Sequence, residues 1–191
     1  MDIKVISTIF NERNQFGDFF HMIKSGNYSD ALFIYNDNEE SYYDKSYQRG
    51  AGNACIRIFN MYNKKYEDNP MSAGIPTGTL EYGGYEEFNE ERGQIIDNCI
   101  SQIVTIIKKH NKKRLFYSAK DMTGILGNGI FKINEDILKL ITNEIHKLTL
   151  HNITIVKSIL NNTFDPVVDD CSYLLENEKD KCNNNNIDKN N

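Results

Sequence analysis

Short apolar runs alternate with helix-period segments along this chain, and several of the runs break off in loops rich in Gly and Asn. DALFIYNDNE is followed by RGAGNACIRIF, SAGIPTGTLEYGG comes next, and KRLFYSAKD leads to TGILGNGIF. A compact apolar run bounded by turn residues reads as a buried strand, whereas apolar residues spaced three and four apart read as one face of a helix. Their alternation predicts an α/β fold of three layers, a mostly parallel sheet with helices on both faces. Loops that follow the strands of such a sheet gather along one edge and form a crevice there.

Residues 3–10 read as a first strand and residues 16–24 as a short helix carrying Phe19, Phe20 and Ile23, stopped by Gly26 and Asn27. Residues 31–35 form a central strand that Asn36, Asp37, Asn38 and Glu39 terminate, so polar groups cluster at its end. Residues 53–62 read as a helix or a short strand, the helix being favoured, with Ala54, Ile58 and Met61 on one face and Gly50 and Gly52 at its entrance. Residues 71–77 are extended up to Pro76, Thr77 and Gly78, and Gly83 with Gly84 marks a turn. The clearest helix covers 86–110, with Ile95, Ile96, Cys99, Ile100, Ile103, Val104 and Ile107 as its apolar stripe. Residues 114–119 read as another buried strand, followed by the glycine loop 124–129 and a helix over 134–148 capped by Asn134. Residues 153–160 predict one more strand, at an edge. One α/β domain over 1–165 is expected, and the acidic, Asn-rich stretch 169–191 has too little apolar content to fold and reads as a disordered tail.

A chain of 191 residues can bury a continuous core without disulfide or metal staples. Its formal charge of −5 opposes the broad basic face that a nucleic-acid partner would need. Lys108, Lys109, His110, Lys112, Lys113 and Arg114 are the exception, and because they lie where a helix should end they read as a solvated face complementing the helix dipole. Cys55, Cys99, Cys171 and Cys182 form no CxxC pair, the four histidines are isolated, and neither a metal site nor a cofactor is expected. With no leader-like segment and no apolar stretch of membrane-spanning length, a cytoplasmic, reduced protein without a membrane partner is the expectation. Heavy use of Asn, Ile, Lys and Tyr is what A+T-rich coding produces, as in a giant virus or an amoeba.

The glycine loops carry the functional signal. Backbone N–H groups and helix N-termini exposed in such loops meet phosphate, and Gly50, Gly52, Gly78, Gly124, Gly127 and Gly129 all stand beside polar neighbours. Asn36, Asn38, Asn53, Thr77, Ser118 and Asn128 suit ribose hydroxyls and a diphosphate better than a metal ion. Neither RGAGNAC nor GILGNG has the Lys-Ser/Thr ending of a P-loop, so triphosphate hydrolysis gains no support. Three readings stand together. The first is binding of a nucleotide or ADP-ribose-like ligand. The second is hydrolysis of an ADP-ribosyl or other glycosidic bond, with Asp37 or Asp121 positioning water and Asn53 holding the ribose. The third is an interaction module using Tyr42, Tyr43, Tyr47 and Phe59, its protein partner unknown. Against all of them stands the plain alternative that the glycines only turn the chain and the Asp and Asn residues form local Asx-turns.

Over residues 30–148 the pattern resembles the macrodomain, an ADP-ribose-binding α/β fold. DALF is similar to that family's DAIV strand, RGAGNACI to its GGGVxxAI loop and TGILG to its TGIYG loop before the last helix. The resemblance implies a pair of loops straddling the diphosphate and the distal ribose. It implies no activity, because that fold hosts both readers of ADP-ribose and hydrolases that remove it. ALFIYNDNE, GAGNACIRI, AGIPTG and GNGIF also resemble the ALFIFNDNE, GGGNAxIRP, AGIPTG and GTGIF segments of a group of phage, bacterial and mimivirus-like proteins, which brings no reaction with it.

Overall fold

A strand at the centre of an α/β sheet has to be apolar on both faces, and Ala31–Asp37 meets that condition: its first five side chains are at most 2% exposed. The computed structural model describes residues 3–129 and 131–149, which fall within one unit. In chain order its strands are β1 (Lys4–Thr8), β2 (Ala31–Asp37), β3 (Ser72–Pro76), β4 (Gly78–Thr79), β5 (Gly83–Gly84) and β6 (Arg114–Ser118). The helices are α1 (Phe19–Lys24), α2 (Glu39–Tyr43), α3 (Glu90–Lys109) and α4 (Glu135–Lys147), and a 3-10 helix spans Gly52–Phe59.

Four strands make one sheet in the order β1-β6-β2-β3, every neighbouring pair parallel, while β4 and β5 form a separate antiparallel hairpin. Alternate side chains of each strand feed two cores. Leu32, Ile34, Leu115 and Tyr117 pack with the buried stripes of α3 and α4, whereas Phe33, Tyr35 and Phe116 pack with α1 and the 3-10 helix. Each fully buried Ile or Phe in these layers contributes roughly 2 kcal/mol of transfer free energy. The crossover from β1 to β2 passes through α1 on one face, and the return from β3 to β6 passes through α3 on the other. Opposite directions on opposite faces give the two crossovers the same hand, as the single handedness of βαβ units demands.

The structure departs from the sequence reading at several places. Strand β2 runs two residues further than expected, so Asn36 and Asp37 lie in the ladder opposite Ile75 and Pro76 and do not end it. Asn38 instead caps a short unforeseen helix, α2, by accepting from the Ser41 N–H at 2.8 Å. The helix expected over 53–62 is a 3-10 helix over Gly52–Phe59, and its buried residues are Ala54, Ile56, Arg57 and Phe59 instead of Ala54, Ile58 and Met61. Its buried positions recur every third residue, 54 with 57 and 56 with 59, which is the 3-10 repeat. Helix α3 begins at Glu90, where Asn89 accepts from the Arg92 N–H, four residues later than read. Helix α4 has the expected cap, Asn134 accepting from Asp136 N–H at 2.8 Å. Within the basic cluster Lys112 is fully buried, so it is not solvated, and Arg114, half-buried, pairs with Asp30. The strand expected over 153–160 and the tail from 169 lie outside the described residues. Among the described residues no helix is long and apolar enough to cross a membrane.

Candidate functional site

In an open parallel sheet, adjacent strands whose following segments leave toward opposite faces open a crevice beyond their C-terminal ends. Here every neighbouring pair qualifies, because β1 and β2 lead to one face and β6 and β3 to the other, and the pair β6 and β2 is the one followed by the 50–53 and 124–129 glycine loops. After β2 the chain passes through α2, whose Tyr42 packs on the α3–α4 side, before it reaches the 3-10 helix on the other face, and after β6 it reaches α4. Ile34 stands opposite Tyr117, so Asn36 projects beyond the last paired residue of β6, where the glycine loop begins.

That loop is a tight hairpin. Ala119 bridges Leu126, Gly127 N–H donates to Ser118 O at 2.8 Å, and Lys120 N–H donates to Ile125 O at 2.8 Å. Tyr117 Oη donates to Gly124 O at 2.6 Å, while Leu126 N–H donates to Thr142 Oγ1 of α4 at 2.9 Å. With Gly124 N–H donating to Asp121 O as well, the N–H groups of Gly124, Leu126 and Gly127 are engaged within the protein. Asn128 turns its Nδ2 onto Phe131 O, and Gly129 is at φ 60°. Helix α4 starts at Glu135, so five residues separate its first turn from Gly129.

Asn36 joins the end of β2 to the glycine loop. Its Nδ2 donates to Gly127 O at 2.9 Å, and its Oδ1 is buried without a partner. Thr8, 1% exposed at the end of β1 and opposite Ser118, likewise leaves its Oγ1 buried and unpartnered. These are the two buried side-chain polar atoms without a partner among the described residues, and both lie at this end of the sheet.

Asp37 points to the opposite face and is closed off. Arg57 of the 3-10 helix pairs with it, Asn38 N–H donates to it at 2.9 Å, and both charged side chains are under 10% exposed. Burial raises the Asp37 carboxyl above the usual carboxylate range, with Arg57 pulling the other way. A cavity of about 20 Å3 beside β3, bordered by Tyr35, Asp37, Asn60, Ser72 and Gln102, has room for about one water molecule. A nucleotide needs roughly 300 Å3 or more. Asp121 sits on the surface of the hairpin, accepting from the N–H and Oγ1 of its neighbour Thr123, and these bonds hold its carboxyl low. The two carboxylates are therefore not brought together: one is ion-paired inside, and the other is tied into a local turn.

Gly52, at φ 53°, opens the 3-10 helix, and Asn53 is half-buried in its first turn; Ala51, at the cap position, makes no side-chain bond. Gly50 is held by Ala54 O through its own N–H. Thr77 is buried at the end of β3, its N–H on Asp37 O and its carbonyl accepting from Tyr85, and Gly78 starts the β4–β5 hairpin. The structure thus places Asn36, Ser118 and Gly127 in direct contact or succession, with the loops carrying Asn53 and Thr77 at the same edge. Arg57 and Thr8 escaped the sequence reading. Arg57 had a signal, the three-residue spacing from Ala54, but Thr8 had none. Of the aromatic residues of the third reading, Phe59 is 1% exposed and Tyr42 packs against the core, whereas Tyr43 and Tyr47 are exposed.

Neither Cys55 nor Cys99 is paired, and burial lifts both thiols, Cys99 to about 12, so neither offers a thiolate at neutral pH. Among the described residues no group of three His, Cys, Asp or Glu is placed to hold a metal ion. Compared with family models, curated proteins and solved structures, the chain matches none of them.

Proposed function

We propose that this protein is a macrodomain-like module that binds ADP-ribose or a related nucleotide in the crevice between the ends of β2 and β6. The observation that carries this reading is Asn36: its amide joins the end of β2 to the glycine loop, and its buried Oδ1 is an acceptor that no protein group satisfies. A buried acceptor left unmatched costs about 1–3 kcal/mol, and a ribose hydroxyl or base N–H recovers that cost once the glycine loop gives way to admit it. The order of the strand ends, with the 50–53 and 124–129 loops on either side, supports the same placement.

Binding is favoured over hydrolysis within this reading because the Asp37 carboxylate is already engaged by Arg57 and Asp121 by Thr123. A general base must reach the water it activates. Isothermal titration of the full chain with ADP-ribose, NAD, ATP and AMP tests the proposal. Heat with at least ADP-ribose is expected, with affinity at least about tenfold lower in Asn36→Ala. Neither heat nor a thermal shift with any of the four would end it.

A further inference from the structure

The β4–β5 hairpin, beyond β3, is held unusually firmly for a surface turn. Gly78 lies against the backbone of Gly83 and Gly84, and Gly84 against Lys132 O, so closely that no side chain fits at either position. Tyr85 N–H donates to Thr77 O at 2.8 Å, and Asn134 N–H donates to Tyr85 O at 2.7 Å. From α2, Glu40 accepts from Leu80 N–H at 3.0 Å and Glu39 from the Tyr85 hydroxyl at 2.5 Å. Arg92 lies over the Tyr85 ring, 4.5 Å from its centroid.

What this anchoring displays is apolar. Leu80 is 72% exposed and Tyr82 79%, Phe131 lies beside Gly83 at 51%, and Phe88 is 52% exposed. Residues 80–91 carry Glu81, Glu86, Glu87, Glu90 and Glu91, and Arg92, the next residue, donates its Nη1 to Glu87 O at 2.5 Å. Glu90 and Glu91 complement the N-terminus of α3, and Glu86 meets Lys132 at 3.8 Å, but Glu81 and Glu87 have no ion-pair partner among the described residues. A preorganised apolar ledge whose five carboxylates outnumber the two cations beside them, Arg92 and Lys132, has the composition of a recognition surface.

We propose that this ledge docks a basic segment of a partner protein that carries apolar side chains between its lysines or arginines. Charge selects that occupant. A second copy of the chain meeting the same patch would set carboxylates against carboxylates, and an anionic membrane would repel them. Apolar anchors fit against Leu80, Tyr82 and Phe131, while cations reach Glu81 and Glu87 on the rim.

Fluorescence anisotropy with the full chain tests this, using a labelled peptide of alternating lysine and leucine, a lysine–serine peptide and a glutamate–leucine peptide. The lysine–leucine peptide should bind most tightly and lose affinity with added salt. Replacing Leu80→Ser and Tyr82→Ser together, at exposed positions that leave net charge and melting temperature unchanged, should weaken it by about tenfold. Glu81→Gln with Glu87→Gln should reduce the salt dependence. The proposal is overturned if the wild type ignores the lysine–leucine peptide, if the glutamate–leucine peptide binds as well, or if the serine variant binds undiminished. It is also overturned if sedimentation shows a dimer, or flotation shows binding to anionic or neutral lipid vesicles, that the serine variant abolishes.

Discussion

The two ends of the parallel sheet are built from the same strands and differ in who satisfies their polar groups. At the N-terminal end, Lys112 is fully buried and donates to Ser29 O at 3.0 Å and Asn69 Oδ1 at 2.6 Å. Beside it Arg114 pairs with Asp30, holding that carboxyl low, and lies over the Tyr28 ring. At the C-terminal end, Asn36 and Thr8 keep unmatched buried oxygens. All eight exposed large apolar side chains of the described residues sit in segments that follow C-terminal strand ends: Phe10 after β1, Tyr43 and Tyr47 after β2, Leu80, Tyr82 and Phe88 after β3, Met122 and Phe131 after β6. An end whose donors and acceptors are saturated internally can only hold the fold. An end that leaves acceptors and apolar surface unmatched gains free energy from a second molecule.

The Asp37–Arg57 pair is the saturated exception at the C-terminal end, and breaking it should produce the largest effect. Arg57→Met strands a buried carboxylate and is expected to lower stability by about 4 kcal/mol at neutral pH, measured by urea denaturation. Burial already raises the Asp37 carboxyl, and removing Arg57 raises it further, so the folded variant holds a proton that the unfolded chain releases. Stability then falls as pH rises, and the deficit should narrow as pH drops toward 4. A deficit that does not change with pH would place the loss elsewhere.

At the other end, Lys112→Met leaves Ser29 O and Asn69 without their donor while removing a buried charge, and a net loss of about 2 kcal/mol follows. The pH dependence is sharper than the magnitude. Burial lowers the Lys112 ammonium from 10.5 to about 8, so between those values the unfolded chain binds more protons than the folded one. Wild-type stability should therefore gain between pH 8 and 10 from this group, a gain that Lys112→Met lacks in paired denaturation curves at pH 7 and 9.

Gly129→Val carries the smallest expected loss of stability, about 1 kcal/mol, because it imposes positive-φ strain at φ 60° while no atom lies within 4 Å of the new Cβ. If the C-terminal end binds nucleotide along this loop, titration of the folded variant should show affinity lost out of proportion to the small change in melting temperature. Undiminished affinity would move the ligand off the loop and confine it to Asn36 and the 50–53 side.

Much of the architecture was legible because burial imposes a period on the chain. The apolar LFIY and LFY runs demanded strands covered on both faces, the isoleucine stripe of α3 demanded a sheet to lie on, and Asn134 announced the start of α4. The site was legible only as a set of polar residues after strands. Asn36, Asn38 and Asp37 are neighbours in sequence, yet one crosses to the glycine loop, one caps a helix and one is buried against Arg57. Strand alternation sends consecutive side chains to opposite faces, and the two residues added to β2 decided which face each received.

By itself, then, the sequence determined the α/β class, the strands and the edge at which its loops gather, because these depend on periodicity and on turn residues acting locally. Tertiary structure alone decided that 52–59 coils as a 3-10 helix, that Lys112 is inside while its neighbours are not, and that Asn36 retains a buried acceptor. Each of those outcomes rests on a partner far away in the chain, Asp37 for Arg57, Ser29 and Asn69 for Lys112, Gly127 for Asn36. A hydrogen bond or ion pair across tens of residues leaves no period in the sequence that records it.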